Sequence, residues 1–243
     1  MHRAIRVERV VIVNPSVYGT DNSSTVFGLK ARGNTARGIA VIDDQIADRE
    51  LRAMDAAGFC GIRLNLSTAG VSDPKVARAR FITAAGRMKD LGWHIQMFTS
   101  LQVIASIQDI VADAPVPVVC DHFGGAQAAL GVEQPGFSDL VNLLKSGHAY
   151  VKISGAYLSS KQGPDYPDVT PIARALISAN PNRVLWGTDW PHPEATSSRA
   201  PTAVSPFREI DDGRLFNQVP VWAPDSEIRK RILVENPAKL YRF

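Results

Sequence analysis

The sequence repeats one pattern along its whole length: a short run of apolar and β-branched residues, then a longer segment with helical spacing. Seven such runs lie at 10–13, 38–42, 61–66, 94–98, 116–120, 150–153 and 184–186. Strands that alternate with helices pair in parallel, because each helix carries the chain back to the starting edge of the sheet. The repeat therefore predicts an α/β fold built on a parallel sheet.

The segments between the runs carry the signals of helices. The clearest begins at Asp73 and Pro74, which are typical of an N-cap and a first helical turn, and Gly92 marks its end. Apolar residues at helical spacing predict three further helices, around 51–54, 137–144 and 172–177, and a last one is predicted over 225–234.

The strands themselves favour a barrel over an open sheet covered by helices on both faces. Arg63 and Asn65 alternate with apolar neighbours, and Lys152 and Ser154 do the same. Strands buried on both faces read as continuous apolar runs, whereas alternation indicates one apolar face and one polar lumen. No glycine-rich nucleotide-binding loop follows any strand. We expect a (β/α)8 TIM barrel that lacks its N-terminal first strand, since seven strands are counted.

Length and composition restrict the function classes. With 243 residues the chain predicts a single domain over 1–243, and residues 191–224 are expected to form a long loop or lid after the last strand. No run reaches the roughly 18 apolar residues of a membrane span. The net charge of +3 is spread without basic blocks, so neither a membrane nor a nucleic acid is an expected partner. Cys60 and Cys120 lie in apolar runs, and buried free thiols in the cytoplasm are expected.

Polar residues gather where strands end, which is where barrels of this type place their reactive groups. Asp121 and His122 follow the fifth run, Asp189 follows the seventh, and hydroxyl-bearing residues follow the first. A carboxylate and an imidazole can supply a base for water and a hydrogen-bond donor for a carbonyl. An N-cap aspartate and an ordinary loop histidine are the alternative interpretations of Asp189 and His122.

Six segments in the same order resemble one known family, the amidohydrolase-2 group of the metal-dependent hydrolase superfamily. They lie at 13–22, 61–65, 120–124, 151–157, 186–192 and 235–241, so the resemblance covers essentially the whole chain. The most similar branch is that of the 2-pyrone-4,6-dicarboxylate lactonase-like proteins. The resemblance implies a barrel that hydrolyses a small lactone or cyclic ester.

The resemblance also assigns roles to residues. It implies that Asp189 deprotonates the attacking water and that His122 polarises the carbonyl. The lactonase-like branch requires no metal, whereas the wider family often holds Zn or Mn, for which His122 and Asp189 would be the ligands. The residues expected to bind a small-molecule substrate are Ser16, Tyr18, Thr20, Arg63, Tyr157 and His192.

Two departures from the family pattern affect these expectations. The Asp-x-His-x-His segment of the first strand is absent from the sequence. Arg63 matches one of the family's carboxylate-binding arginines, but Ala69, Gly125 and Tyr157 stand where others are expected. A mono-anionic or neutral lactone is therefore expected rather than a multiply charged pyrone.

Two other functions remain open from the sequence. Lys152 on an apolar strand could act as the Schiff-base lysine of an aldolase-type lyase. Alternatively, the missing histidine pair would fit an inactive or ligand-binding barrel.

Overall fold

A computed structural model describes residues 2–194 and 204–243. Its centre is a seven-stranded sheet in which every neighbouring pair is parallel and the strands follow chain order. The strands are β1 (Val10–Val13), β2 (Ala36–Ala40), β3 (Phe59–Asn65), β4 (His94–Phe98), β5 (Val118–Cys120), β6 (Ala149–Ile153) and β7 (Val184–Trp186). Each of the seven predicted runs contains or overlaps one of them.

Twelve α-helices occur in the described residues, and most of them connect the strands. They are α1 (Ser23–Arg32), α2 (Asp48–Ala56), α3 (Pro74–Met88), α4 (Leu101–Ser106), α5 (Gln108–Ala112), α6 (Phe137–Lys145), α7 (Ala156–Ser159), α8 (Thr170–Ala179), α9 (Asp212–Phe216), α10 (Val219–Trp222), α11 (Ser226–Lys230) and α12 (Asn236–Tyr241). Single 3-10 turns lie at Ser16–Tyr18, Gly33–Thr35, Lys89–Leu91, His122–Gly125, Ala128–Leu130, Pro167–Val169 and Pro181–Arg183.

The helix signals in the sequence are confirmed. The Asp73 side chain accepts a hydrogen bond from the Lys75 backbone N–H at 2.8 Å, and Pro74 is the first residue of α3. The predicted last helix continues further than expected, because a π-helical turn at Arg231–Glu235 joins α11 to α12. Pro237 does not end it: the π-helical turn lies directly before α12, which contains Pro237 and continues to Tyr241.

The two faces of the sheet bury different sets of side chains. The outer face packs on the helices and forms the main apolar cluster, which includes Val118 and Val151. The inner face forms a second, smaller cluster, closed at its floor by the C-terminal helix. Its buried members are Ile39, Cys60, Val119, Tyr150, Leu185, Leu240 and Tyr241. A curled sheet of seven strands with its own inner core, here called the half-barrel, agrees with the predicted barrel that lacks one strand.

The curled sheet has two free edges within the described residues. There β1 pairs with β2 alone and β7 pairs with β6 alone. The predicted barrel architecture is therefore present as seven parallel strands with flanking helices. Both cysteines are buried free thiols, as predicted.

Residues 191–224, expected as a loop, include short helices. The segment begins after the turn that follows β7, forms an isolated antiparallel bridge between Pro193 and Phe207, and continues through α9 and α10. The Asp211 side chain caps α9 by accepting a hydrogen bond from the Arg214 N–H. Arg199, which the sequence suggests beside His192 as a specificity residue of this segment, lies outside the described residues. No helix in the described ranges is long and apolar enough to cross a membrane.

Candidate active site

A buried carboxylate lies at the carboxyl end of β5, surrounded by donors from three other strands. Asp121 is 1% exposed. One of its oxygens accepts hydrogen bonds from Arg63 Nε at 3.0 Å and Gln96 Nε2 at 2.9 Å, and the other accepts from Lys152 Nζ at 2.8 Å. These partners project from β3, β4 and β6 on the lumen side. The alternation seen in the sequence thus produces a buried ionic cluster, which we call the Asp121 cluster.

Two opposing effects act on the pKa of Asp121. Burial alone would raise it, but the charges of Lys152 and Arg63 outweigh burial and hold the pKa well below its usual range. Asp121 is therefore a permanent carboxylate, which suits it to orienting cations rather than to accepting the proton of a substrate.

The Asp121 cluster also bears on the lyase alternative. A Schiff-base lysine must lose its proton before its nitrogen can attack a carbonyl. Lys152 instead donates a hydrogen bond to a buried carboxylate that stays ionised. A nitrogen that is held in this contact is not free to attack a carbonyl, which argues against a nucleophilic role.

His122 follows Asp121 directly and its ring is almost fully buried. Its Nδ1 lies 3.1 Å from the Ser154 hydroxyl oxygen. The Phe98 ring packs edge-on against the His122 ring, with the two ring centroids 5.2 Å apart. Nε2 lies 3.8 Å from Asp189 Oδ1. The strands β5 and β7 therefore bring together the two residues that the sequence singled out as catalytic.

Asp189 presents its two oxygens to different surroundings. Oδ2 accepts a hydrogen bond from the Tyr157 hydroxyl at 2.6 Å, while Oδ1 faces His122. The Asp189 side chain is 29% exposed, so water can reach it. Burial and the Asp189 charge together raise the pKa of Tyr157 far above its usual value, and Tyr157 therefore remains a donor.

His192 and Asp212 extend this contact away from the lumen. His192 is buried, with Nδ1 at 3.2 Å from the Tyr157 hydroxyl oxygen and Nε2 at 3.2 Å from Asp212 Oδ1. Because an ionised carboxylate can only accept, Nε2 carries the proton that points at Asp212. Both ring nitrogens thus face protein groups, which leaves His192 little freedom to contact a substrate as the sequence suggested.

The remaining expected substrate residues lie apart from one another. Arg63 is held by Asp121 through Nε, and its guanidinium packs over the Phe98 ring at 5.1 Å. Ser16 and Tyr18 form a 3-10 turn after β1, and Tyr18 is 52% exposed. Thr20 lines a different, open cavity of about 510 Å³. None of these four residues forms a hydrogen bond or an ion pair with Asp189 or His122 among the described residues.

The structure shows what surrounds two of the positions where arginines were expected. A Cβ at Gly125 would lie 2.6 Å from the Thr99 carbonyl oxygen, and the backbone there has φ +79°. An arginine at 125 would therefore force the backbone to move. Ala69 lies in the exposed turn after β3.

A metal at His122 and Asp189 does not fit the donors present. A zinc site in a protein uses at least three side-chain ligands. In the described parts of the chain, no group of three or more histidine, cysteine or acidic side chains lies close enough to bind one ion. A reaction at His122 and Asp189 is therefore derived from the two side chains alone.

Several residues around the site were not singled out from the sequence. Gln96 and Ser154 contact Asp121 and His122, and only the predicted alternation of their strands signalled that they face the lumen. Asp212 and Arg208 come from the irregular segment after β7. No local pattern there could indicate which side chains return to the site.

Comparison with known proteins places this geometry in a family. The family model described as amidohydrolase matches residues 1–243. A 4-sulfomuconolactone hydrolase of Hydrogenophaga intermedia is 33% identical over 98% of this chain and 76% of its own length. A 2-pyrone-4,6-dicarboxylate hydrolase of Comamonas testosteroni is 32% identical over 96% of this chain and 75% of its own.

Solved structures agree. A candidate 2-pyrone-4,6-dicarboxylic acid hydrolase of Pseudomonas putida is 28% identical and superposes with a TM-score of 0.80 over 99% of this chain and 84% of its own. A protein of Acinetobacter baumannii, crystallised with citric acid, shows the same fold with a TM-score of 0.82 at 22% identity, over 100% of this chain and 86% of its own. The chain thus belongs to the amidohydrolase family that its six ordered segments resemble.

Proposed function

We propose that the protein hydrolyses a small lactone, with Asp189 as the base for water and His122 as the donor to the carbonyl. One observation carries the proposal. Tyr157 occupies one oxygen of Asp189, the other oxygen lies 3.8 Å from His122 Nε2, and the Asp189 side chain is 29% exposed. A base and a donor that flank one accessible point are what acyl hydrolysis needs.

The names of the relatives support the substrate class. Besides the two hydrolases described above, a D-galactarolactone isomerase of Agrobacterium fabrum is 29% identical over 98% of this chain and 77% of its own length. The substrates in two of these names, a 4-sulfomuconolactone and a galactarolactone, are lactones. A lactone is also a substrate that a base and a hydrogen-bond donor can hydrolyse.

The reaction balances with these residues alone. Asp189 Oδ1 accepts a proton from water while the water oxygen attacks the carbonyl carbon, and the developing oxyanion accepts a hydrogen bond from His122 Nε2. The ring C–O bond then breaks, and Asp189 returns the proton to the leaving oxygen. The product is an open-chain hydroxy acid.

Of the two Ser154 oxygens near His122 Nδ1, the hydroxyl oxygen is nearer, at 3.1 Å, than the backbone carbonyl oxygen, at 3.4 Å. If the Ser154 hydroxyl donates to Nδ1, the proton of a neutral imidazole resides on Nε2. That nitrogen faces Asp189 and the substrate. A neutral histidine can then donate to the oxyanion without first acquiring a proton.

Tyr157, His192 and Asp212 act in this proposal as positioning residues. The Tyr157 hydroxyl fixes the rotamer of Asp189, and the His192 ring, held by Asp212, packs edge-on against the Tyr157 ring. A base held in one orientation spends less of its time away from the attacking geometry.

We further place the enzyme in the cytoplasm, with a small molecule as its partner rather than a nucleic acid. The buried free thiols of Cys60 and Cys120 support a reducing compartment. Burial raises the pKa of both thiols to about 12, so neither is a nucleophile at neutral pH.

The test uses a pair of lactones of one size, 5-oxotetrahydrofuran-2-carboxylate and its neutral carboxamide. Asp189→Asn keeps the hydrogen bond with Tyr157 but removes the base. For each lactone that the wild-type protein hydrolyses, kcat should fall by about 10²- to 10⁴-fold in this variant. Asp43→Asn is the matched control, because Asp43 is exposed and only accepts a turn hydrogen bond from Gln45. Ring opening is followed as acid release.

Two results would overturn the proposal. If the wild-type protein opens neither of these lactones, nor δ-valerolactone, above the background rate, the inactive-barrel alternative replaces it. If Asp189→Asn retains the wild-type rate, the base lies elsewhere.

A further inference from the structure

Arg208 lies beside the candidate active site although it comes from the irregular segment after β7. Its guanidinium carbon is 5.5 Å from the centroid of the Tyr157 ring. The hydroxyl of that same ring donates to Asp189 at 2.6 Å. Arg208 is therefore one side chain away from the proposed base.

The backbone holds Arg208 in this place. Its N–H donates to the His192 carbonyl oxygen at 2.9 Å, and the preceding residue, Phe207, forms an antiparallel bridge with Pro193. The turn that carries Asp189 and His192 is thus tied directly to the backbone of Arg208. Backbone hydrogen bonds hold the residue in a fixed position, which is what a binding residue requires.

The charge of Arg208 has no partner in the described residues. Its Nε is buried and makes no hydrogen bond there, and no carboxylate in the described ranges lies within 4 Å of its guanidinium. Other arginines differ: Arg63 pairs with Asp121, and Arg214 pairs with Asp165. An arginine that lies beside the candidate active site without a carboxylate partner is available to pair with an anionic group of a ligand.

We propose that Arg208 binds the anionic group of the substrate, a carboxylate or a sulfonate attached to the lactone ring. The two Nη groups of a guanidinium form a planar fork that fits two oxygens of such a group. The Tyr157 ring supports the guanidinium from one side. This inference rests on the proposed lactone hydrolysis and specifies the substrate as an anionic lactone.

The experiment compares the carboxylate lactone and its carboxamide with the wild-type protein and with Arg208→Gln. For the carboxylate, kcat/KM should fall at least tenfold, mostly through a higher KM, whereas the carboxamide should change less than twofold. Arg208→Lys keeps the charge but not the fork and should lie between the two. Arg80→Gln, on the exposed face of α3, is the control and should change neither substrate.

Equal losses on both substrates would overturn the proposal, because Arg208 would then act through Tyr157 rather than on the anion. Unchanged kinetics would overturn it as well. The same comparison of kcat/KM with a sulfonate in place of the carboxylate shows which of the two anions Arg208 binds better.

A binding measurement separates this inference from the proposed function. Tetrahydrofuran-2-carboxylate has no ester to hydrolyse, so its affinity does not depend on Asp189 as a base. Calorimetry should show binding to the wild-type protein that is at least tenfold weaker in Arg208→Gln. If no lactone is hydrolysed, the proposed function fails while this measurement still decides for or against an anion site at Arg208.

Discussion

Asp189, His122 and His192 share an uncommon backbone conformation. Their φ angles are +64°, +48° and +60°, in the left-handed region that residues with a side chain seldom adopt. Such conformations cost about 1–3 kcal/mol each and persist only where the surrounding structure enforces them. Three of them at one point of the fold are consistent with a site whose side chains must point in set directions.

Tyr157→Phe tests the orientation of Asp189. The ring remains, so packing against His192 and Arg208 is kept, but the hydrogen bond to Asp189 Oδ2 is lost. We expect kcat to fall about tenfold, since a freer base is less often in position. Steady-state kinetics measure it.

Tyr166→Phe is the control for this variant. Tyr166 is also a buried tyrosine, but its hydroxyl makes no hydrogen bond with Asp189. Equal kcat values for Tyr157→Phe and Tyr166→Phe would show that the 2.6 Å contact does not matter for catalysis.

Gly155→Ala tests how closely the catalytic pair is packed. The backbone there has φ +63°, and a Cβ would lie 3.0 Å from both Asp189 Oδ2 and His122 Nδ1. The methyl group would push the two side chains apart, so we expect at least a tenfold loss of kcat. Backbone strain adds about 1–2 kcal/mol of destabilisation.

Gly92→Ala is matched to it. Gly92 has φ +61° and, like Gly155, lies in the left-handed helical region, but a Cβ there meets nothing within 4 Å. Urea unfolding should show a comparable loss of stability in both variants, and only Gly155→Ala should lose activity. Full activity in Gly155→Ala would place the reacting groups elsewhere.

The strands β3 to β6 each direct one side chain to the same depth of the lumen, and this is how the Asp121 cluster forms. Arg63 and Gln96 are direct partners in the parallel register of β3 and β4. Asp121 follows β5, and Lys152 lies on β6. The ionic cluster therefore depends on strand register, and a slip by one residue would turn these side chains toward the helices.

Lys152→Met tests the cluster through stability. It leaves Asp121 buried with one fewer cation, and breaking a buried pair typically costs about 3–5 kcal/mol. Urea unfolding at pH 7 measures it. Lys145→Met, at the exposed end of α6, is the control and should cost well under about 1 kcal/mol.

Acid should reduce the difference in the free energy of unfolding between Lys152→Met and the wild-type protein. Because the folded-state pKa of Asp121 is lowered, its contribution is present above the unfolded pKa of about 3.9 and is lost as the pH falls below it. A loss of stability that is the same at pH 3 and pH 7 would mean that the missing lysine acted through packing and not through charge.

The half-barrel as a whole encloses a buried histidine at the floor of its lumen. His94, at the start of β4, is 1% exposed and meets the Tyr241 ring edge-on at 5.3 Å. Burial lowers its pKa to about 3, with the Lys152 charge acting in the same direction. Neither ring nitrogen makes a well-formed hydrogen bond in the described part of the chain.

His94 should make the stability of the whole protein pH-dependent. The unfolded chain takes up a proton near pH 6.5, whereas the folded chain resists protonation down to about pH 3. Stability should therefore fall as the pH falls through this window, by about 2 kcal/mol between pH 8 and pH 5.

His94→Leu should remove that dependence and leave the protein at least as stable at pH 8, because an unpaired buried polar group is replaced by an apolar one of similar size. His148→Gln, at an exposed position before β6, should retain the wild-type dependence. Urea midpoints at both pH values provide the comparison. An unchanged slope in His94→Leu would show that another group senses the pH.

The pattern of the chain was enough to predict the strands, the main helices, the parallel sheet and the polar lumen. These features depend on neighbouring residues: period, caps and alternation are local, and burial of one face follows from them. The pairing of Asp189 with His122 was also predictable, because both follow strands of one sheet and lie in segments that resemble a known family.

The contacts that make a site of these residues could not be predicted from local pattern. Arg63 meets Asp121 across 58 positions, and Tyr157 meets Asp189 across 32. Arg208 and Asp212 return to the site from a segment without periodicity. Such contacts are decided by which strand ends the curled sheet brings together and by how much surface is buried when the sheet curls. Those are properties of the assembled sheet and not of any segment.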